Sequence, residues 1–269
     1  MVVATQAAVD LWSLDCAGFE LSALEATWLS VLSDAERTRY DRYAPLRSKR
    51  QLLLSRAMLR SVLTHYLGTS AFDFGLGEHG RPELAGALQS DLSFNLSHSR
   101  DRVVVAVTRA GVIGVDVEYA GRVRRIERLI SRYFSPSEQE ALMALPGQFR
   151  LERFYALWAL KEAYIKARGL GLAIPLADFS FDFSAESEAV SIRFDGSLLS
   201  QAPTQWSFWR GSVVGADYAL GLALQTPEGK AGSVAVTLRE SIRAEGSIRQ
   251  DTGHAEVAQW STPLAVGIL

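Results

Sequence analysis

Phe154-Tyr155-Ala156-Leu157-Trp158-Ala159-Leu160-Lys161-Glu162-Ala163-Tyr164-Ile165-Lys166-Ala167-Arg168-Gly169 reads as one helix. Ala, Leu, Lys and Glu favour helix, and neither Gly nor Pro interrupts the run before Gly169, a natural stop. Leu151, Tyr155, Trp158 and Ile165 recur at helical spacing and form an apolar stripe. Glu162 follows Trp158 by four residues and precedes Ile165 by three, so it lies inside that stripe. A carboxylate there is costly to bury unless a positive group meets it. Lys166, one turn on, is one such group. A metal ion is another.

Upstream, Gly114-Val115-Asp116-Val117-Glu118 is Val-rich and reads as a strand. Strand side chains alternate between faces, so Ile113, Val115 and Val117 point into a core. Asp116 and Glu118 share the opposite face, about 7 Å apart along the strand. Three carboxylates drawn from a strand and a helix make an all-oxygen set suited to Mg²⁺.

The rest of the composition narrows the function classes. A chain of 269 residues with 48% hydrophobic and 22% charged residues has enough apolar material for a large core. The formal net charge of −2 gives no global pull toward nucleic acid or an anionic membrane, so an anionic ligand must be held by a local cluster. The single cysteine, Cys16, excludes an internal disulfide framework and a cysteine-based zinc site, and fits a cytoplasmic setting. No basic-then-apolar leader opens the sequence, and no apolar run approaches membrane-spanning length.

In chain order, a strand is expected over Ala8–Cys16. Ser33 with Glu36 spells a capping box at a helix start. A basic run follows, with Arg37, Arg39, Arg42, Arg47, Lys49, Arg50, Arg56 and Arg60, and Ser48–Tyr66 has helical Leu spacing. Leu92–Asn95 and Val103–Val107 are expected to pair as a hairpin around a tight segment, Leu96–Asp101. Arg122–Arg132 reads as a helix. Ser135-Pro136-Ser137-Glu138 opens the next one, with Pro136 at its first position. Strands are expected at Asp178–Phe183, Val190–Phe194, Trp206–Arg210 and Tyr218–Gln225. Each half, roughly 1–110 and 111–226, runs helices and then an antiparallel strand set, which predicts two α+β lobes with a cleft between them. Residues 227–269 read as a poorly specified tail, with Val234–Arg243 a short helix or strand.

Four motifs in order carry a resemblance: Gly80-Arg81-Pro82, Phe94-Asn95-Leu96-Ser97-His98-Ser99, Gly114-Val115-Asp116-Val117-Glu118, and Trp158-Ala159-Leu160-Lys161-Glu162-Ala163-Tyr164-Ile165-Lys166. Together with the arginine-rich opening they span about residues 30 to 225, and the chain resembles the Sfp-type 4′-phosphopantetheinyl transferases. Arg81 stands where that family usually has lysine, keeping the cation but replacing a point charge with a planar fork.

The resemblance implies an α+β fold of two pseudo-symmetric lobes, with coenzyme A and Mg²⁺ in the cleft between them. It implies transfer of the phosphopantetheine arm of coenzyme A to a serine of an apo acyl, peptidyl or polyketide carrier protein, releasing 3′,5′-ADP. Breaking a pyrophosphate bond requires stabilised charge on phosphate oxygens and an in-line nucleophile. Asp116, Glu118 and Glu162 are then the metal ligands, and Glu162 is also placed to take the serine proton. Lys161, Lys166, Ser97, His98, Arg81, Arg50 and Arg56 are the expected contacts to coenzyme A. Arg122, Arg124, Arg125, Arg128, Tyr133 and Phe134 are expected to dock the acidic carrier. Two lobes in one chain build the cleft internally, so a monomer is expected. A Mg²⁺-dependent phosphohydrolase of coenzyme A or nucleotides, and a non-catalytic carrier- or coenzyme-A-binding paralogue, remain the rival readings.

Overall fold

The computed structural model describes residues 7–17, 19–77, 82–85, 91–121, 126–183, 190–201, 205–212, 217–227, 234–244 and 247–250. Its longest C-terminal-half element is the helix that contains the quoted stretch, α6 (Gly147–Arg168), closed by Gly169 in the left-handed conformation at φ 66°. The buried face of α6 is wider than one stripe: Phe154, Tyr155, Leu157, Leu160, Lys161, Ala163 and Tyr164 are all inaccessible to solvent.

The chain opens with strand β1 (Ala7–Asp15), followed by α1 (Leu21–Trp28), α2 (Asp34–Arg42) and α3 (Leu46–Leu67). A short hairpin, β2 (Phe74–Leu76) with β3 (Pro82–Leu84), leads to β4 (Ser93–Ser99), β5 (Arg102–Thr108) and β6 (Val112–Tyr119). Helices α4 (Glu127–Tyr133) and α5 (Pro136–Met143) precede α6. Strands β7 (Phe179–Phe183), β8 (Val190–Phe194), β9 (Trp206–Ser212) and β10 (Tyr218–Gln225) follow it, where strands are expected. Last come β11 (Val234–Ala244) and β12 (Ser247–Gln250). Both predicted capping boxes are present, Ser33 with Glu36 on α2 and Ser135 with Glu138 on α5.

The strands form two five-stranded sheets, ordered β12-β11-β1-β5-β4 and β6-β10-β9-β8-β7. Three apolar layers organise them. Val9, Leu11, Val104 and Ala106 of the first sheet pack on Ile113, Val115, Val117, Leu220 and Leu222 of the second. Trp12, Leu14, Val103 and Val105, on the other face of the first sheet, pack under α3 through Leu53, Met58 and Leu63. The outer face of the second sheet packs under α4, α5 and α6. The α+β expectation therefore holds, as two sheets face to face with helices outside.

The open reading of Val234–Arg243, a short helix or strand, resolves as a strand: β11 pairs in parallel with β1 from Ala7↔Val234 to Ser13↔Glu240 and extends the N-terminal sheet. Its signal was period two, Val234, Val236 and Leu238, with Val234 and Leu238 buried between the sheets. The strand expected over Ala8–Cys16 is present as β1, the central strand on which β5 and β11 both pair. Among the described residues no helix is long and apolar enough to cross a membrane.

Glycine sets the distance between α6 and its sheet. A Cβ on Gly221 would lie 2.5 Å from the backbone carbonyl carbon and oxygen of Ala159, and one on Gly114 would overlap the carbonyl oxygen of Ala163. Gly221 pairs with Asp116 across the β10–β6 ladder. The helix backbone thus rests directly on the sheet beside the acidic strand.

Candidate active site

The two sheets meet at the edges β4 and β6, and side chains join them. β4 alternates: Phe94 and Leu96 turn toward the core under α3, while Ser93, Asn95, Ser97 and Ser99 turn toward β6. Backbone N–H groups of β6 donate to those side chains in register: Ile113 to Ser93 Oγ at 3.1 Å, Val115 to Asn95 Oδ1 at 3.0 Å, Val117 to Ser97 Oγ at 3.4 Å, Tyr119 to Ser99 Oγ at 3.1 Å. A strand edge that would otherwise leave its donors unpaired is satisfied by polar side chains. The motif Ser97-His98-Ser99 accordingly lies on a strand, not in the tight turn expected for it. The turn is only Arg100-Asp101, with Arg100 at φ 49°. Gln51 Nε2 donates to the Arg100 carbonyl at 2.9 Å, and Arg47 pairs with Asp101 at 3.1 Å, which fastens this turn to α3.

Asp116 and Glu118 point away from the inter-sheet core, as predicted. Asp116 is 4% exposed. Lys166 donates from Nζ to Asp116 Oδ1 at 2.6 Å and to Ser97 Oγ at 2.8 Å, and Ser97 Oγ donates to Asp116 Oδ1 at 2.8 Å. Ser99 Oγ donates to Glu118 Oε2 at 3.2 Å. Burial above all, with the charges of Asp116 and Glu118 and against that of Lys166, pushes the Glu162 carboxyl up to about 7. The sequence-predicted Asp116, Glu118, Glu162, Lys166 and Ser97 are therefore neighbours. Lys166, one of the two partners considered for Glu162, bonds Asp116, and its charge also acts on Glu162.

His98 is exposed near the end of β4, on the same face as Phe94 and Leu96. Crowding by its surroundings lowers its pKa below the ordinary range, and the positive charges of Lys166, Arg56 and Arg39 lower it further. That influence marks a basic cluster drawn from α2, α3, β4 and α6. Arg56 pairs with Glu36 at 2.5 Å, and Arg50 donates to the Phe19 carbonyl at 3.3 Å. Arg39 is a member that sequence reasoning did not single out. Its signal was its place in the basic run. Arg81, Arg122, Arg124 and Arg125 lie outside the described residues. Arg128 is exposed on α4, whereas Phe134 is 1% exposed and belongs to the core, so it does not dock a partner.

Lys161 is a correction. It is fully buried, pairs with Glu138 Oε2 at 2.8 Å and donates to the carbonyls of Leu176 and Phe179, each at 2.8 Å. Its ammonium sits 4.2 Å from the centroid of the Phe179 ring. Burial pushes its pKa down while Glu138 pulls it back up. All three of its donors face protein, so it does not reach a phosphate. The residue lies one position from Glu162, a rotation of about 100°, which carries it from the acidic site into the core.

Among the described residues, no three His, Cys, Asp or Glu side chains gather closely enough to make a metal site as they stand. The chemistry of the donors nonetheless fits a divalent cation. Asp116 Oδ2 is buried without a hydrogen-bond partner, and burial first, then the charges of Asp116 and Glu118, raise the Glu162 carboxyl to about 7. An oxygen-only, electron-rich set of this kind suits a hard cation.

Two family profiles match in tandem: "4′-phosphopantetheinyl transferase, N-terminal" over residues 22–110 and "4′-phosphopantetheinyl transferase superfamily" over residues 112–223. The 4′-phosphopantetheinyl transferase HetI of Nostoc sp. is 37% identical over 170 residues, covering 61% of this chain and 70% of HetI. This chain belongs to the 4′-phosphopantetheinyl transferase superfamily. The transferase Sfp of Bacillus subtilis is 30% identical over 182 residues, covering 67% of this chain and 75% of Sfp. The L-aminoadipate-semialdehyde dehydrogenase-phosphopantetheinyl transferase of Rattus norvegicus is 26% identical over 235 residues, 81% of this chain and 75% of that one. Among solved structures, a holo-(acyl-carrier-protein) synthase from Bacillus anthracis in complex with CoA aligns at a TM-score of 0.35 with 19% identity, over 44% of this chain and 97% of that one. In this phosphopantetheinyl transferase the seam between the two profiles falls at β5–β6, where the acidic strand leaves one sheet to begin the other.

Proposed function

We propose that this enzyme transfers the 4′-phosphopantetheine arm of coenzyme A to a serine hydroxyl of an apo carrier protein, releasing 3′,5′-ADP, at the site formed by β4, β6 and α6. The observation that carries the site assignment is the buried, partnerless Asp116 Oδ2 beside a lysine ammonium and a carboxyl held near 7. Acidic and basic groups side by side match a reaction that needs both a cation and a polyanion. Asp116, Glu118 and Glu162 would hold Mg²⁺, which would supply the charge that neutralises the pyrophosphate. His98, Lys166, Arg39 and Arg56 form the positive field that receives the phosphates, with Arg50 and Arg81 the outlying candidates for the 3′-phosphate. Glu162 is also the carboxylate assigned to take the serine proton. The serine oxygen then bonds to the phosphorus, and the P–O bond to the 3′,5′-ADP oxygen breaks. The lobes divide near residues 110 and 111, with β11 and β12 returning to the N-terminal sheet, and two lobes in one chain favour a monomer, with the cytoplasm as its compartment.

Incubation with coenzyme A, Mg²⁺ and a panel of apo carriers, followed by intact mass spectrometry, tests the reading. One phosphopantetheine added to the carrier serine supports it. Coenzyme A consumed with no carrier modified replaces it with a hydrolase. Asp116→Ala is expected to abolish transfer while leaving the fold intact, and near-normal transfer by that variant would refute the site.

A further inference from the structure

The β4–β6 seam has four rungs, and they are not alike. At Ser93 and Asn95 the β4 side chain accepts one backbone N–H from β6. At Ser97 and Ser99 the hydroxyl does the same and also donates to a β6 carboxylate: Ser97 to Asp116, Ser99 to Glu118. A hydroxyl has one proton to give. Once the N–H of Val117 or Tyr119 points at its oxygen, that proton is directed to the carboxylate of the residue just before. The unit repeats two residues later on both strands, so one hydrogen-bond pattern orients both acidic side chains.

We propose that Ser99, and with it Ser97, is a positioning residue for the acidic site, fixing the Glu118 and Asp116 carboxylates through the backbone of their own strand, whereas Ser93 and Asn95 only join the sheets. The proposal rests on the reading of Asp116, Glu118 and Glu162 as a divalent-cation site. Partners that orient metal-binding carboxylates from outside typically change metal affinity by about 10- to 100-fold when lost. Ser99 is the cleaner probe, because Ser97 also bonds Lys166. Ser93 is the built-in control, since it makes the same backbone bond at 3.1 Å without a carboxylate.

The test is Mn²⁺ binding to the full chain, with and without coenzyme A, followed by electron paramagnetic resonance of the free ion, alongside thermal unfolding of each variant. Ser99→Ala is expected to raise the Mn²⁺ Kd by about 10-fold or more. Ser93→Ala is expected to leave it unchanged, although both lose one side-chain-to-backbone bond and melt alike. Ser99→Thr, which keeps the hydroxyl, is expected to bind as the unsubstituted protein does. Equal Mn²⁺ affinity in Ser99→Ala and Ser93→Ala, or Ala-like weakness in a folded Ser99→Thr, overturns the positioning role alone. If the unsubstituted protein binds no Mn²⁺, the cation site itself falls, and this role with it.

Discussion

Lys161→Met separates a buried structural lysine from a phosphate ligand. Lys161 and Glu138 are 0% and 3% exposed, and the ammonium's three donors meet Glu138 and two backbone carbonyls. Glu138 in turn accepts from the N–H groups of Ser135 and Phe181, tying α5 to β7. Methionine fills a similar volume but leaves a carboxylate buried without its cation and two carbonyls without a donor. Breaking a buried ion pair from one side costs about 3–5 kcal/mol. For a chain of this size each kcal/mol lowers Tm by about 2–4 °C, so a fall of roughly 6–20 °C is expected. Circular dichroism melts read this directly. Adding Glu138→Gln should recover part of the loss, because glutamine keeps the capping box while removing the uncompensated charge. A Lys161→Met protein that melts normally yet binds coenzyme A poorly would refute the reasoning and restore Lys161 to the phosphate site.

Three further expectations follow from the same geometry. Gly221→Ala places a Cβ 2.5 Å from the Ala159 backbone, which cannot rotate away, so a loss of about 1–3 kcal/mol is expected in denaturant titration; an unchanged midpoint would mean that α6 does not rest on β10. Glu162, with its pKa raised from 4.5 to about 7 in the folded chain, holds its proton more tightly folded than unfolded, so its contribution to stability is present below pH 4.5 and lost as pH rises through 7. Melts in EDTA should show a downward trend across that window that Glu162→Gln flattens, and identical slopes for the two proteins would count against it. Burial first, then Asp15 and Asp101, push the Cys16 thiol up to about 12, so a chromogenic disulfide reagent at pH 8 should react with it only after guanidinium unfolding; rapid labelling of the native protein would contradict its placement.

The two stretches that carry the chemistry were legible because local rules govern them. Period two put Asp116 and Glu118 on one face of β6, and that face is the one turned from the inter-sheet core. Helical spacing put Glu162 inside the apolar stripe of α6, where a carboxylate calls for a partner, and capping boxes marked the starts of α2 and α5. The fate of Lys161 was not legible. Its partner Glu138 lies 23 positions earlier on another helix (161 − 138), and spacing along α6 says nothing about what stands opposite. Ser97 is expected to contact coenzyme A on the strength of the resemblance, and its motif is expected in a tight turn. The structure makes it a rung between two strands that start 19 positions apart (112 − 93).

The amino-acid order by itself determined the elements, the faces of the strands and the acidic and basic residue types that the chemistry uses, since each depends on neighbours within a few positions. Tertiary structure alone decided that β11 returns to pair with β1, that Lys161 is sealed against Glu138, and that β4 side chains take the backbone hydrogen bonds of β6. Those depend on contacts between distant segments, whose geometry is set by how the two sheets and α6 pack together rather than by any local preference.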